Sequence, residues 1–236
     1  MTTPIVLVHG GSFAGSCWDR MLPYVDGPVL AVDLPGRGAH PAALADVGIG
    51  VCARSIVADV DAAGFDDIVL AGHSLAGVSL PATIGLLGAR VRHAVFVACT
   101  VPPDGVSSLD TLPEDFREFA RTNLERADVG TLDRDVAKIV FGNDLDDEQF
   151  EWMMTIMTPE APRLIIEPVD LAPLREHRMP RTWIRPIHDA ILDPEKQLEF
   201  AANVGDCRVV DIDAAHMCMI SQPKALASLL SAVATE

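Results

Sequence analysis

The stretch that most constrains this chain is a glycine-flanked turn at residues 72–77, which reads GHSLAG and follows the apolar run of residues 68–71. An apolar run that ends in such a turn predicts a buried strand, a sharp turn and then a helix. The glycines favour this geometry because a strained turn with positive φ tolerates side chains poorly. We expect the turn to expose the Ser74 hydroxyl at the carboxyl ends of the strands of a sheet. The stretch therefore indicates covalent catalysis through Ser74.

A second glycine-containing loop follows the first apolar run of the chain. Residues 4–8 (PIVLV) predict a buried strand, and residues 9–12 (HGGS) follow it. Acyl transfer through a serine develops negative charge on the carbonyl oxygen, and two backbone N–H groups aimed at that oxygen stabilise the charge. We predict that these donors are the amides of Gly11 and Leu75, with Ser12 as the alternative to Gly11.

A serine hydroxyl also needs a base to take its proton. The chain has seven histidines, and His216 is the best placed because it follows the apolar run of residues 208–212 and precedes a predicted C-terminal helix. Its position also fits the chain order serine, acid, histidine. His9 and His73 flank the two glycine loops, and we expect each of them to brace the local backbone. The remaining histidines are interpreted as surface or packing residues: His40, His93, His177 and His188.

The carboxylate that orients the base is expected after the strand before last, at residues 181–187. Asp189 follows this run directly, so its side chain can reach the far nitrogen of His216. We predict that Asp189 is the acid and that Asp193 caps the next helix. Asp104, which follows an earlier apolar run, stays open as an alternative acid.

Apolar runs alternate with helix-period segments along most of the chain. A run at residues 29–32 and a helix near residues 51–63 separate the first strand from the Ser74 strand. This alternation predicts an α/β fold with a mostly parallel sheet covered by helices on both faces. Between about residues 103 and 180 the alternation stops, and charged segments predict an inserted helical cap that closes over the strand ends. The length of 236 residues suits one domain over residues 1–236.

Several apolar side chains of the predicted cap could line a pocket or pack the cap helices together, and packing is the interpretation we favour for each one: Phe116, Phe119, Phe141, Phe150, Trp152, Met153, Met154, Ile156 and Met157. As a group they favour a substrate with a modest apolar acyl or alcohol part. Ser12 and Phe13 in the first loop, together with Met217, are predicted to contact the substrate. Trp18 is expected to anchor that loop.

Composition argues against several classes of partner. A formal charge of −16 and a pI near 4.7 disfavour nucleic acid and anionic membranes. The sequence has no apolar run that approaches the length of a membrane span. Five cysteines without paired spacing, and a first segment without a signal pattern, predict a reducing cytoplasm with the cysteines as small buried side chains. We predict a small-molecule ester as the substrate, no cofactor and no metal, and leave open whether the chain forms a homodimer.

The chain resembles the α/β-hydrolases and, within them, the plant methyl-ester esterases and hydroxynitrile lyases with their bacterial esterase relatives. The likeness rests on the motifs at residues 6–11, 32–38, 71–77 and 216–223, with Gly15 and Trp18 after the first of them. The resemblance implies that Ser74, Asp189 and His216 form the catalytic triad of the family. It also implies that the amides of Gly11 and Leu75 form the oxyanion hole.

Positions that differ among the activities of this family predict hydrolysis. Hydroxynitrile lyases of the group carry a threonine after the first-loop histidine and a lysine after the catalytic histidine, where this chain has Gly10 and Met217. A lyase must stabilise the leaving cyanide with positive charge, and this sequence has none next to His216. Epoxide hydrolases and haloalkane dehalogenases carry an aspartate at the position of Ser74, so Ser74 argues against both. Ala215 departs from the family, whose members often have an aspartate there.

We therefore predict a carboxylesterase-like serine hydrolase that acts on a small carboxylic ester, for which a methyl ester and a lactone are both candidates. Two alternatives stay open. One is a non-hydrolytic relative, a lyase or a cyclase of a biosynthetic pathway. The other is a ligand-binding protein, because a fold by itself does not determine function.

Overall fold

A computed structural model of the chain describes residues 2–112, 114, 117–118, 121–122 and 132–236. The strands of its sheet, in chain order, are β1 (Ile5–Val8), β2 (Val29–Val32), β3 (Ile68–His73), β4 (Val91–Val97), β5 (Arg181–Pro186) and β6 (Arg208–Ile212). In space the order is β2–β1–β3–β4–β5–β6, and every neighbouring pair is parallel. All six strands therefore end at the same edge of the sheet.

The composition of β1 explains why this sheet is parallel and covered on both sides. Its four residues are all apolar and all fully buried. Ile5 and Leu7 pack into one hydrophobic cluster, whereas Val6 and Val8 pack into another on the opposite face. Successive side chains of a strand point to opposite faces, so a strand without polar residues must be covered twice.

Helices supply both covers. In chain order they are α1 (Ile49–Ala62), α2 (Leu80–Leu87), α3 (Arg134–Val140), α4 (Asp147–Ile156), α5 (Pro162–Ile166), α6 (Ala172–Glu176), α7 (Pro194–Val204), α8 (Cys218–Ser221) and α9 (Pro223–Val233). Single turns of 3-10 helix lie at Gly15–Trp18, Leu22–Tyr24, Leu44–Asp46, Ser74–Val78, Gly88–Arg90 and Leu109–Thr111. Helices α1, α2 and α7 pack on the face of Val6 and Val8, and α9 packs on the face of Ile5 and Leu7. The predicted α/β fold with a parallel sheet and two helical layers is confirmed.

The first turn of α1 shows a boundary that local sequence does not reveal. The helix begins at Ile49, slightly before the predicted start near residue 51, and its N-cap is Gly48, which has no side chain to cap it. Instead, the carboxylate of Glu167, which is 118 positions away, accepts a hydrogen bond from the Ile49 amide. A tertiary contact thus replaces the local cap that a helix start normally requires.

The predicted insertion between β4 and β5 contains the helices α3, α4, α5 and α6, joined by loops. Its apolar residues Phe141, Phe150, Met153 and Met157 are buried in the cluster on the α9 face. Trp152, Met154 and Ile156 pack against the same cluster from partly buried positions. Phe116 and Phe119 lie outside the described residues. We refer to residues 103–180 as the insertion, and its role as a cap over the site stays a prediction.

Three further observations concern the described part of the chain. It contains no helix that is both long and apolar enough to cross a membrane. It also has no group of three or more His, Cys, Asp or Glu side chains placed to hold a metal ion. All five cysteines are free; Cys207 is half-buried and the other four are buried.

Candidate active site

Ser74 lies at the sharp turn that the sequence predicts. It follows β3 directly, its φ is +53°, and it begins the 3-10 turn Ser74–Val78. A non-glycine residue in this left-handed region is strained, and strain of this kind is typical of functional sites. The turn lifts the half-buried Ser74 side chain to the carboxyl edge of the sheet.

Small residues on either side make this turn sterically feasible. A Cβ on Gly72 would lie 2.8 Å from Cδ1 of Leu80 and 3.0 Å from Cβ of Ala76. A Cβ on Gly77 would overlap the carbonyl oxygen of Thr100. Ala76 occupies the last position of the usual pattern G-x-S-x-G. The second essential glycine of this chain is therefore Gly77, one position later.

The three predicted side chains meet at this edge. The Ser74 hydroxyl lies 2.9 Å from Nε2 of His216, and Nδ1 of His216 lies 2.7 Å from Oδ2 of Asp189. Asp189 accepts the Nδ1 proton, so Nε2 is free to accept the hydrogen bond from the serine hydroxyl. The His216 and Asp189 side chains are fully buried. The arrangement can therefore remove a proton from a serine hydroxyl through a base that is itself shielded from solvent.

The second oxygen of Asp189 is also bound. Oδ1 accepts hydrogen bonds from the amides of Ile191 at 2.8 Å and Leu192 at 3.0 Å. Burial by itself raises the pKa of Asp189, but the charge and hydrogen bond of His216 and these two amides outweigh it, so the pKa lies below its usual value. Asp189 is thus held as a carboxylate and cannot rotate away from the imidazole.

The two rival carboxylates lie elsewhere. Asp193 caps α7 by accepting hydrogen bonds from the amides of Glu195 and Lys196, as predicted. The exposed Asp104 accepts hydrogen bonds from the Leu171 amide and from the Arg175 side chain. The structure brings Asp189, and not Asp104, to His216.

His9 and His73 brace the loops beside the site. Nδ1 of His9 donates to the Gly10 carbonyl at 2.8 Å, and Nε2 accepts from the Leu34 amide at 3.0 Å. Nε2 of His73 donates to the backbone carbonyl of His216 at 2.9 Å. Burial lowers the pKa of both histidines to about 3, so both are neutral at physiological pH. Each is a backbone clamp with a defined tautomer.

One of the two candidate donors in the first loop already makes a hydrogen bond within the protein. The Ser12 amide donates to Oε2 of Glu160 at 2.7 Å, whereas the Gly11 amide has no partner among the described residues. The Leu75 N–H lies in the first part of its 3-10 turn, where helical geometry supplies no acceptor. Within the described residues, the amides of Gly11 and Leu75 are thus free to donate to a substrate oxygen, and their role as the oxyanion hole stays a prediction.

The three residues predicted to contact the substrate have different surroundings. Ser12 is half-buried and has a φ of +62°. Phe13 and Met217 are buried in the hydrophobic cluster on the α9 face. The Phe13 ring packs edge-on against Phe141 at 5.5 Å, and the Phe141 ring lies 5.7 Å from that of His216. These aromatic rings form an apolar wall beside the imidazole, and contact with substrate stays a prediction for all three residues.

Four side chains that support the site were not predicted from the sequence. Nδ2 of Asn143 donates to the His188 carbonyl at 2.8 Å, and Oδ2 of Asp144 accepts from the Ala215 amide at 2.7 Å. The other two, Arg37 and Glu160, form a buried ion pair. The partners of Asn143 and Asp144 lie 45 and 71 positions away, so no local pattern indicates them.

Comparison with known proteins identifies the family of this chain. The model of the alpha/beta hydrolase family matches residues 5–229. A probable esterase, PIR7A, from Oryza sativa subsp. indica is 34% identical over 119 residues, which cover 48% of this chain and 45% of the rice protein. That alignment thus spans less than half the length of the rice relative. Methylesterase 9 from Arabidopsis thaliana is 24% identical over 249 residues and covers 97% of each chain.

Solved structures agree on the fold. An extracellular alpha/beta-hydrolase from a Paenibacillus species, described as sharing structural and functional homology with Tobacco Salicylic Acid Binding Protein 2, superposes with a TM-score of 0.86. The superposition covers 96% of this chain and 97% of that chain at 20% sequence identity. At this identity the likeness shows the fold alone. From the family match, the sheet and the convergence of Ser74, Asp189 and His216, we conclude that this chain belongs to the alpha/beta hydrolase family and resembles its plant esterase group.

Proposed function

We propose that this protein is a serine esterase that cleaves a small carboxylic ester through an acyl-enzyme on Ser74. The observation that carries the proposal is the continuous hydrogen-bonded series from the Ser74 hydroxyl through His216 to Asp189, at 2.9 and 2.7 Å. Each distance lies within the range needed for proton transfer from a nucleophile to a base that a carboxylate orients.

In the first half-reaction, Nε2 of His216 takes the Ser74 proton while Oγ forms a bond to the ester carbonyl carbon. The π electrons of the carbonyl move to its oxygen, and the amides of Gly11 and Leu75 donate to the resulting oxyanion. Asp189 stabilises the imidazolium that forms. When the tetrahedral intermediate collapses, the bond to the alcohol oxygen breaks, and this oxygen takes the proton from His216.

In the second half-reaction, water replaces the alcohol. His216 accepts a proton from this water as its oxygen attacks the acyl carbon of the ester on Ser74. The same two amides stabilise the second oxyanion, and removal of one such donor typically lowers kcat by roughly 10²- to 10³-fold. Collapse releases the carboxylic acid and returns the proton to the Ser74 oxygen. The enzyme is regenerated without a cofactor.

Two features favour hydrolysis over a lyase reaction. The residues that follow the clamp histidine His9 and the base His216 are Gly10 and Met217, which carry no charge. Met217 is also fully buried in an apolar cluster. A lyase that expels an anion needs a cation beside the base, and His73, which packs on His216, is neutral because burial lowers its pKa to about 3.

The substrate class follows from the relatives and from the walls of the site. Relatives named methylesterase and esterase make a methyl ester the first candidate, with a lactone as the second. Phe13 and Phe141 supply an apolar surface beside His216, which suits a small apolar acyl or alcohol group.

Labelling by a fluorophosphonate, followed by kinetics with p-nitrophenyl acetate, tests the proposal. We expect Ser74 to be labelled and p-nitrophenol to appear in a burst equal to the enzyme concentration. Ser74→Ala should abolish both. Ser79→Ala is the matched control, because the Ser79 hydroxyl donates to the Ala76 carbonyl within the same segment, and it should keep both.

The same experiment separates the remaining classes. A labelled protein without turnover would support a ligand-binding protein, and an unlabelled one that still converts a substrate would support a lyase or cyclase. A panel of methyl esters and lactones of increasing acyl length then identifies the preferred substrate.

A further inference from the structure

A short segment of the insertion holds both backbone groups of Ser12. The Ser12 amide donates to Oε2 of Glu160 at 2.7 Å, and the Ser12 carbonyl accepts from the Thr158 amide at 2.9 Å. Ser12 has a φ of +62°, a conformation that costs a non-glycine residue free energy. Two long-range hydrogen bonds thus stabilise a strained residue directly after Gly11.

Glutamate side chains are usually exposed to solvent, but Glu160 is only 5% exposed. Its Oε1 forms an ion pair with Arg37 and accepts a hydrogen bond from the Ala161 amide. The Arg37 side chain is fully buried. A buried carboxylate requires this kind of compensation, because desolvation of an unpaired charge is costly.

The carboxylate lies in contact with the residue that carries the first oxyanion donor. A Cβ on Gly11 would lie only 2.9 Å from Oε2 of Glu160 and 3.2 Å from Cδ2 of Leu75. Position 11 is therefore packed between the Glu160 carboxylate and the residue that carries the second donor. An unneutralised negative charge at this place would oppose the charge that develops on the substrate oxygen.

Arg37 supplies the neutralising charge from a different part of the chain. It lies in the loop after β2, where Gly36 and Gly38 adopt φ values of +87° and +47°. Together with Glu160 it lines a narrow cleft beside Gly11 and Leu75. Nε and Nη1 of Arg37 have no partner among the described residues, so Glu160 is the carboxylate to which its charge is directed.

On the basis of the proposed esterase function, we propose that Glu160 is a positioning residue for the oxyanion hole. Its carboxylate holds the Ser12 peptide so that the adjacent Gly11 N–H points at the substrate oxygen. Arg37 neutralises the carboxylate, so the loop is held without a net negative charge beside the oxyanion. The insertion thereby contributes to the chemistry through Glu160.

The test compares two double variants that both lack the buried charges. Arg37→Met with Glu160→Gln keeps an acceptor for the Ser12 amide, whereas Arg37→Met with Glu160→Met has a side chain of similar size without that acceptor. We expect kcat/KM for p-nitrophenyl acetate to be about 10- to 100-fold lower in the second variant, with most of the loss in kcat, since a displaced donor acts only in the transition state.

A specific readout distinguishes positioning from general stability. A trifluoromethyl ketone forms a tetrahedral adduct with Ser74 and places an oxyanion in the hole, whereas the alcohol of the same skeleton does not. The inhibition constant of the ketone should rise in parallel with the loss of kcat/KM, and that of the alcohol should stay within twofold. Equal kcat/KM values for the two double variants, or equal weakening of ketone and alcohol, would overturn the proposal.

A rescue experiment keeps the proposal testable if the variant without an acceptor does not fold. Arg37→Met alone leaves an unpaired carboxylate beside the oxyanion and should weaken ketone binding at least tenfold. Adding Glu160→Gln to this variant should restore most of the lost affinity for the ketone, and no restoration would contradict the proposal. If the wild type turns over the ester but the variants show neither the loss nor the rescue, only the role of Glu160 is contradicted. If the wild type shows no ester turnover and no labelling at Ser74, the proposed function itself is contradicted.

Discussion

Asp144 in the insertion accepts a 2.7 Å hydrogen bond from the backbone amide of Ala215, the residue directly before His216. Its neighbour Asn143 donates at 2.8 Å to the carbonyl of His188, the residue directly before Asp189. Two adjacent side chains of one turn therefore hold both loops that carry the proposed base and acid. Their contacts fix the relative position of these loops without touching the reacting groups.

We expect Asp144→Ala to lower kcat by roughly 10- to 100-fold, because small displacements of a catalytic group are costly. It should also destabilise the fold by about 1–3 kcal/mol, since a buried amide loses its acceptor. The matched control is Asp146→Ala, which removes the N-cap of α4 and should cost about 1 kcal/mol with kcat unchanged. Urea unfolding and steady-state kinetics measure both effects, and an equal loss of kcat in the two variants would argue against the contact.

Substitution of the two rival carboxylates by amides tests the assignment of the acid. Asp189→Asn should lower kcat by about 10³- to 10⁴-fold, because an amide no longer holds His216 in the tautomer that accepts the serine proton. Asp104→Asn should leave kcat unchanged, since Asp104 contacts Arg175 and the Leu171 amide. A loss confined to Asp104→Asn would reassign the acid.

Gly77→Ala tests the packing of the turn at Ser74. The added Cβ would overlap the Thr100 carbonyl oxygen and lie 2.9 Å from Cβ of Cys99. We expect a loss of stability of about 1–3 kcal/mol or more and weaker labelling of Ser74. Gly50→Ala is the control, because the new Cβ would meet only Nη1 of Arg54 at 3.4 Å in the first turn of α1. It should stabilise the protein by about 0.5–1 kcal/mol, and stability would be measured by urea unfolding.

Burial of His73 predicts a specific dependence of stability on pH. Its pKa is lowered to about 3 in the folded protein, whereas the ordinary value is 6.5. Below pH 6.5 the unfolded chain therefore binds a proton that the native state does not. The contribution of His73 to the free energy of unfolding is thus fully present above pH 6.5 and is lost as the pH falls towards 3. Between pH 7 and pH 5 this one histidine should account for a loss of about 2 kcal/mol.

His73→Gln isolates this contribution because glutamine keeps an N–H donor for the His216 carbonyl and does not titrate. Urea unfolding of the wild type and the variant should show a free-energy difference that narrows by about 2 kcal/mol from pH 7 to pH 5. An unchanged difference would mean that the pKa of His73 in the native state is not lowered from its ordinary value. His9 is buried in the same way and has its pKa lowered to about 3, so it should add a similar dependence to both proteins.

Much of the site could be predicted because its signals are local. The run before Ser74, the glycines around it and the loop after β1 each combine strand and turn patterns within a few residues. The order of strands along the chain then indicates which loops meet at one edge of a parallel sheet. Ser74, Asp189 and His216 were predicted in this way, and the structure brings them together. The identity of the second essential glycine, Gly77 rather than position 76, became clear only from the distance to Thr100.

The supporting contacts could not be predicted, because they join residues that no periodic pattern connects. Glu160 binds the Ser12 amide across 148 positions, and Glu167 caps α1 across 118. Any of many acidic residues in the insertion could have filled either role. Burial determines which acidic residue makes each contact, because a carboxylate inside the protein needs hydrogen-bond donors that only the folded chain brings near.

The sequence by itself determined the fold class and indicated the candidate nucleophile: strands of purely apolar residues require a sheet covered on both faces, and a serine between glycines favours a turn at its edge. The sequence left Asp104 open as an alternative acid and Ser12 as an alternative donor, and the tertiary structure decided between them. Only the tertiary structure showed how the insertion holds the loops in place. The physical reason is range. Secondary structure and turns depend on neighbours along the chain, whereas the geometry of a site depends on hydrogen bonds and ion pairs between segments that meet only after the core has formed.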